Sequence, residues 1–209
     1  MKFNLTWPKL IIFAILAGAY TALVAILPIT KDTSFADISI SFEVWILFGI
    51  IIIMGSKSAK DSALKCFVFF LISQPLIYLI QVPFSTIGWS LFGYYKYWFI
   101  WTLLTIPMGF IGWYIKKDKW WGLLILAPIL VLLGYHYSGF LSQTIYRFPY
   151  HLLSTIFCVA TLLIYPIAIF RSKKIKLAGT IISVVIIIAS TVFALIGKTV
   201  YNTTILVNG

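Results

Sequence analysis

Between Tyr135 and Cys158 the chain reads YHYSGFLSQTIYRFPYHLLSTIFC. This stretch holds both histidines, His136 and His151, the isolated basic residue Arg147, and Cys158, one of two cysteines. Imidazole changes charge near neutral pH, a thiol with a base beside it becomes a nucleophile, and a guanidinium fixes anions. The chemistry open to such a set is proton exchange, nucleophilic attack or capture of a charged solute. Which of these is reached depends on the elements that carry the residues.

Those elements are membrane helices by composition. Of the 209 residues, 62% are hydrophobic, 18% aromatic and 10% charged, where soluble domains carry about 25% charged residues. Spans and short loops account for the whole chain, residues 1–209, as a single integral-membrane domain, and no soluble module of about 50 residues can be fitted. The expected fold class is all-α, a polytopic transmembrane helix bundle whose first partner is the lipid bilayer. The net charge of +11 comes from short basic clusters at the ends of apolar runs, the pattern of topology signals and not of a nucleic-acid interface. Cys66 and Cys158 lie in different apolar runs without CxxC or Cys/His ligand spacing, so free thiols and no structural metal are expected. No HExxH, GxSxG, GxxxxGK or pair of carboxylates within one span occurs, and no cofactor is expected.

Charge-free runs place seven spans, at about 9–28, 39–56, 65–83, 97–115, 120–138, 150–170 and 178–198, because each charge left in lipid costs ~2.5 to 3.5 kcal/mol. The first could open a signal peptide, with Ala17-Gly18-Ala19 as a cleavage site. Its apolarity nevertheless continues from Leu10 to Ile29, long enough to cross, and it reads as an uncleaved helix. The second is the weakest: its uncharged part, Val44 to Ser56, must recruit Glu43 and residues 38–41 to reach across. Alternate loops carry twelve and four Lys or Arg residues, which puts the N-terminus inside and the C-terminus outside. That sense is opposite to seven-helix rhodopsins, receptors and sugar transporters. It also places Lys198 at the outer end of the last span, unsuited to a retinal Schiff base. The expected location is a prokaryotic-type cytoplasmic membrane.

Gln74-Pro75 in the third span and Pro107 in the fourth remove backbone donors and kink their helices. Beyond Gln81-Val82-Pro83, the uncharged segment to Tyr95 reads as interfacial or re-entrant. In the first span, Ala14, Gly18 and Ala22 recur every four residues, a spacing that lets helix backbones approach closely. This alanine-rich run resembles the first helix of the vitamin-capturing subunits of energy-coupling-factor importers, and the resemblance implies docking on a partner helix; packing within the chain is the other reading.

With this orientation Glu43, Gln81, His136, Arg147 and His151 gather in the outer half of the membrane and could line an outward-facing pocket for a small molecule or peptide. His151 and Cys158 share a helix face two turns apart. The pair resembles the histidine and cysteine of integral-membrane peptidases that process quorum-sensing peptides, which would make His151 a base and Cys158 a nucleophile. The glycines typical of that family before the histidine are replaced by Phe148-Pro149-Tyr150. The two residues would lie ~10 Å apart in a straight helix, beyond direct proton transfer. Three functions follow in order: binding or translocation of a solute, an intramembrane His/Cys enzyme, and a non-catalytic accessory or immunity protein.

Overall fold

The computed structural model describes the backbone of residues 4–31, 33–39 and 41–208, with side chains through Ile196. Of the residues used above to set orientation and span limits, Lys2, Ile40 and the side chain of Lys198 lie outside that description. Among the described residues the fold is all-helical: α1 (Trp7–Ile26), α2 (Glu43–Gly55), α3 (Ala59–Gln81), α4 (Tyr95–Gly112), α5 (Trp120–Tyr146), α6 (Leu152–Ile169) and α7 (Lys173–Asn208). Six of them, all but α2, are long and apolar enough to cross a membrane.

The chain forms two compact units, one built from α1 to α4 and one from α5 to α7 together with residues 33–37 and 41–43. In the first, α1 enters with a proline in its opening turn, where the missing N–H has no helical partner to lose. Its Ala14/Gly18/Ala22 face is buried, and it is spent on α3: a Cβ at Gly18 would stand 2.7 Å from the Ser73 carbonyl oxygen. α4 meets α3 in the same way, Gly109 lying against the backbone of Ser62 and Ala63. Phe13, Trp45, Phe48 and Phe69 interlock with ring centroids 4.8–6.4 Å apart, and the Trp45 indole N–H donates to the Ile38 carbonyl at 2.8 Å. Ser58 caps α3 by accepting the Asp61 N–H. Asp61 in turn receives the Lys57 N–H at 2.8 Å and the ammonium of buried Lys65 at 2.7 Å.

In the second unit α5, α6 and α7 pack on one another. Gly134 of α5 fits against Ile186, Gly179 of α7 fits against Pro166, and the Ser183 hydroxyl donates to the Leu162 carbonyl at 2.7 Å. Leu126, Leu130, Leu133 and Leu162 are fully buried there.

Several helices depart from the expected spans, α3 and α7 starting early at Ala59 and Lys173 among them. The second span, expected over 39–56, contains a helix of only 13 residues, about 20 Å long. A 3-10 turn at Asp37–Ser39 stands before it. The fifth helix runs on to Tyr146 instead of ending near residue 138. Hydropathy marks where lipid ends, and a helix whose inner face stays buried through Tyr137, Phe140 and Thr144 has no reason to stop there. The segment after Pro83 is a 3-10 helix, Gly88–Tyr94, leading straight into α4. Pro75 and Pro107 sit inside α3 and α4, and α5 and α6 carry prolines of their own, Pro128 and Pro166.

Candidate functional site

A buried polar cluster lies in the second unit, where the segment before α2 meets the start of α6. Asp37 is 1% exposed, and a carboxylate taken from water must be repaid in hydrogen bonds. The His151 Nδ1 sits 2.8 and 2.9 Å from its two oxygens, and the Ser154 hydroxyl donates to Oδ2. Because an ionised carboxylate only accepts, the His151 Nδ1 carries the hydrogen, and Nε2 is the nitrogen that can exchange a proton or meet a ligand. The Ser34 hydroxyl accepts the Ser154 N–H at 3.2 Å, tying the same loop to the first turn of α6.

Local geometry aims the imidazole. His151 is the N-cap residue of α6 and holds φ +58°, a left-handed conformation unusual for a residue with a side chain. The Thr144 hydroxyl donates to the Tyr150 carbonyl at 2.9 Å and lies 3.1 Å from the Thr155 hydroxyl, so the end of α5 fixes the turn that carries His151. Phe140 stacks on His151 with centroids 5.8 Å apart and on His136 with centroids 6.3 Å apart, and Phe42 closes on His136 at 5.9 Å.

Glu43, the first residue of α2, is also 1% exposed. Its Oε1 is 2.7 Å from the Ser41 hydroxyl, which lies closer still to the Asp37 carbonyl, at 2.5 Å. Its Oε2 is buried and, among the described residues, has no hydrogen-bond partner. One hydroxyl hydrogen faces two acceptors here, and both contacts close when Glu43 itself supplies a second hydrogen.

Of the five residues expected to line a pocket, four fall in this unit. His136 and His151 flank Phe140, and Glu43 adjoins the Phe42 that reaches His136. His136 lies inside α5, ten residues before its end, and not at a helix terminus. Arg147 ends α5 as its C-cap, exposed. Gln81 belongs to the first unit, as the half-buried last residue of α3, and Gln74 is buried in the same helix beside Pro75. Cys158 is fully buried with Tyr137 and Phe140, while the His151 Nδ1 is committed to Asp37. Asp37, Ser34, Ser41 and Ser154 were not among the expected site residues. The usable signal for Asp37 is its place in a loop on the side where His151 opens the sixth expected span, with few other charges there.

The arrangement defines an α-helical protein of multi-pass membrane type with a buried acid–imidazole cluster. No family model, curated protein or solved structure matches the chain.

Proposed function

We propose that the chain is a seven-span membrane protein, N-inside and C-outside, that binds and moves a small solute in exchange with protons, through Asp37, Glu43, His136 and His151 in the outer half of the bilayer. The observation that carries this is the burial of two carboxyl groups and an imidazole in one hydrogen-bonded cluster. Ionisable groups at membrane depth are costly and mark proton or solute routes. The half-buried ring of Phe42, next in sequence to the Glu43 carboxyl, favours a small positively charged solute.

The seventh crossing draws support from the Asp37–His151 pair. Residues that touch stand on the same side of a membrane, so an even number of crossings separates them. α3, α4 and α5 make three, and α2 must make the fourth. At about 20 Å, α2 falls ~10 Å short of the ~30 Å hydrocarbon core. Asp37, Ser41 and Glu43, at its outer entrance, are thereby drawn below the membrane surface.

The test is proton movement out of proteoliposomes loaded with a pH dye, driven by an inward gradient of each of a panel of small organic cations added outside. Internal alkalinisation that depends on the added cation and is lost in Glu43→Gln supports the reading; no pH change with any of the panel overturns it. An enzymatic reading has one observation in its favour. An aspartate holding the Nδ1 of a histidine prepares Nε2 as a general base, which would act on water, Cys158 being fully buried. Hydrolysis of a peptide or ester panel without flux would favour that reading.

A further inference from the structure

The opposite end of the second unit carries a different surface. Asp118, in the left-handed region at φ +53°, directs its carboxylate at the backbone N–H groups of Arg171 and Ser172, at 3.0–3.1 Å. It thus binds the connection between α6 and α7 to the one that leads into α5. Gly122 seats the α5 entrance against Phe170, which is 1% exposed. The clamp brings Lys117 and Lys119, which flank Asp118, next to Arg171, Lys173 and Lys174, and all five are exposed. Asp118 is the only carboxylate side chain in the sequence after Asp61. With it committed to backbone amides, the patch keeps a large positive surplus.

Apolar surface continues from this patch along two helices. Trp120 and Leu124 on α5 are 59% and 73% exposed, and Leu177 and Ile181 on α7 are 63% and 54% exposed. Each pair is one helical turn apart and runs from the cationic end toward the middle of the span. Tryptophan at this position is an interfacial anchor. A cationic head site with an indole beside it and two apolar tracks leading away has the shape and charge of a phospholipid with an anionic headgroup. Basic pockets between membrane helices hold such headgroups through their phosphates.

We propose that the Asp118-clamped end of α5, α6 and α7 is a binding site for an anionic phospholipid. Lys119, Arg171, Lys173 and Lys174 hold the headgroup phosphate, Trp120 packs on the glycerol region, and the chains lie along Leu124 and Leu177/Ile181. The site is independent of the solute cluster at the other end of these helices.

The test is native mass spectrometry of the full-length protein released from detergent, titrated in parallel with phosphatidylglycerol and phosphatidylcholine of the same chains. Wild type should retain phosphatidylglycerol adducts at collision energies that strip phosphatidylcholine. Lys119→Gln/Lys173→Gln/Lys174→Gln should weaken phosphatidylglycerol binding by about tenfold or more, since each lysine near an anionic surface contributes on the order of 1 kcal/mol. Lys57→Gln/Lys60→Gln, in the α2–α3 connection, is the control for bulk charge and should leave binding unchanged. If the triple variant is not monodisperse, Lys174→Gln alone should still weaken binding severalfold. Equal retention of the two lipids, or an equal loss in the control variant, overturns the proposal.

Discussion

At the scale of single residues, the proposed exchange role separates a structural acid, Asp37, from a working one, Glu43. Asp37 accepts from both His151 and Ser154 in a buried setting. Asp37→Ala leaves the His151 and Ser154 donors without their acceptor, and should cost about 2–6 kcal/mol, each orphaned group accounting for ~1–3 kcal/mol. Asp37→Asn keeps an acceptor oxygen and should cost less, as read by denaturant unfolding in detergent. Glu43→Gln has the opposite signature. The amide keeps the Ser41 contact and cannot ionise, so stability should hold within about 1 kcal/mol while proton-linked flux disappears. If Glu43→Gln unfolds the protein as Asp37→Ala does, Glu43 is a structural group and the exchange role fails. The histidine of this cluster was legible in the sequence because imidazoles are rare here and this one opens an apolar span. Its partners were not, since Asp37 and Ser154 lie 114 and 117 residues from the groups they bind, and no local spacing encodes such pairs.

At the scale of elements, glycines decide how closely helices approach, and their surroundings sort them into two kinds. Gly18 and Gly109 face backbone atoms of α3, which cannot swing aside as a side-chain tip can. Gly18→Leu should therefore cost about 3 kcal/mol or more, at or beyond the upper end of the ~1–3 kcal/mol typical of overpacked cores. Gly139, inside α5, has nothing within 4 Å of where a Cβ would be. Gly139→Ala should stabilise by about 0.5–1 kcal/mol, the helix preference of alanine over glycine. Parallel thermal melts of both variants check the pair, and a neutral Gly18→Leu would contradict the close α1–α3 packing. The small-residue spacing of α1 was legible in the sequence. That it is filled by α3 was not, because a stripe of small residues fits a helix of the same chain and a helix of another equally well. Helix ends were less legible still: α5 continues past the apolar run because Phe140 and Thr144 keep its buried face, a burial that hydropathy does not report.

At the scale of the whole molecule, the sequence pattern of basic loops and the pairing of Asp37 with His151 bear on topology by separate routes. Charge asymmetry counts lysines and arginines and assigns sides. The hydrogen-bonded pair counts crossings and needs no charges at all. Under the proposed topology both require α2 to cross despite its length, and they can be tested together with single cysteines in a Cys66→Ser/Cys158→Ser background, both native thiols being buried. Asn4, Lys60, Phe148 and Lys173 are exposed and Ser34 half-buried, so each offers a reactive position. With a membrane-impermeant maleimide on intact cells, Ser34→Cys and Phe148→Cys should label. Asn4→Cys, Lys60→Cys and Lys173→Cys should label only after permeabilisation. If α2 does not cross, Ser34→Cys shares the protection of Lys60→Cys, and Asn4→Cys becomes accessible. Asp37 and His151 would then stand on opposite sides of the membrane, and the exchange cluster would be lost with the seventh span. Labelling of Ser34→Cys and Phe148→Cys together, with Lys60→Cys protected, is therefore the outcome on which the solute route depends.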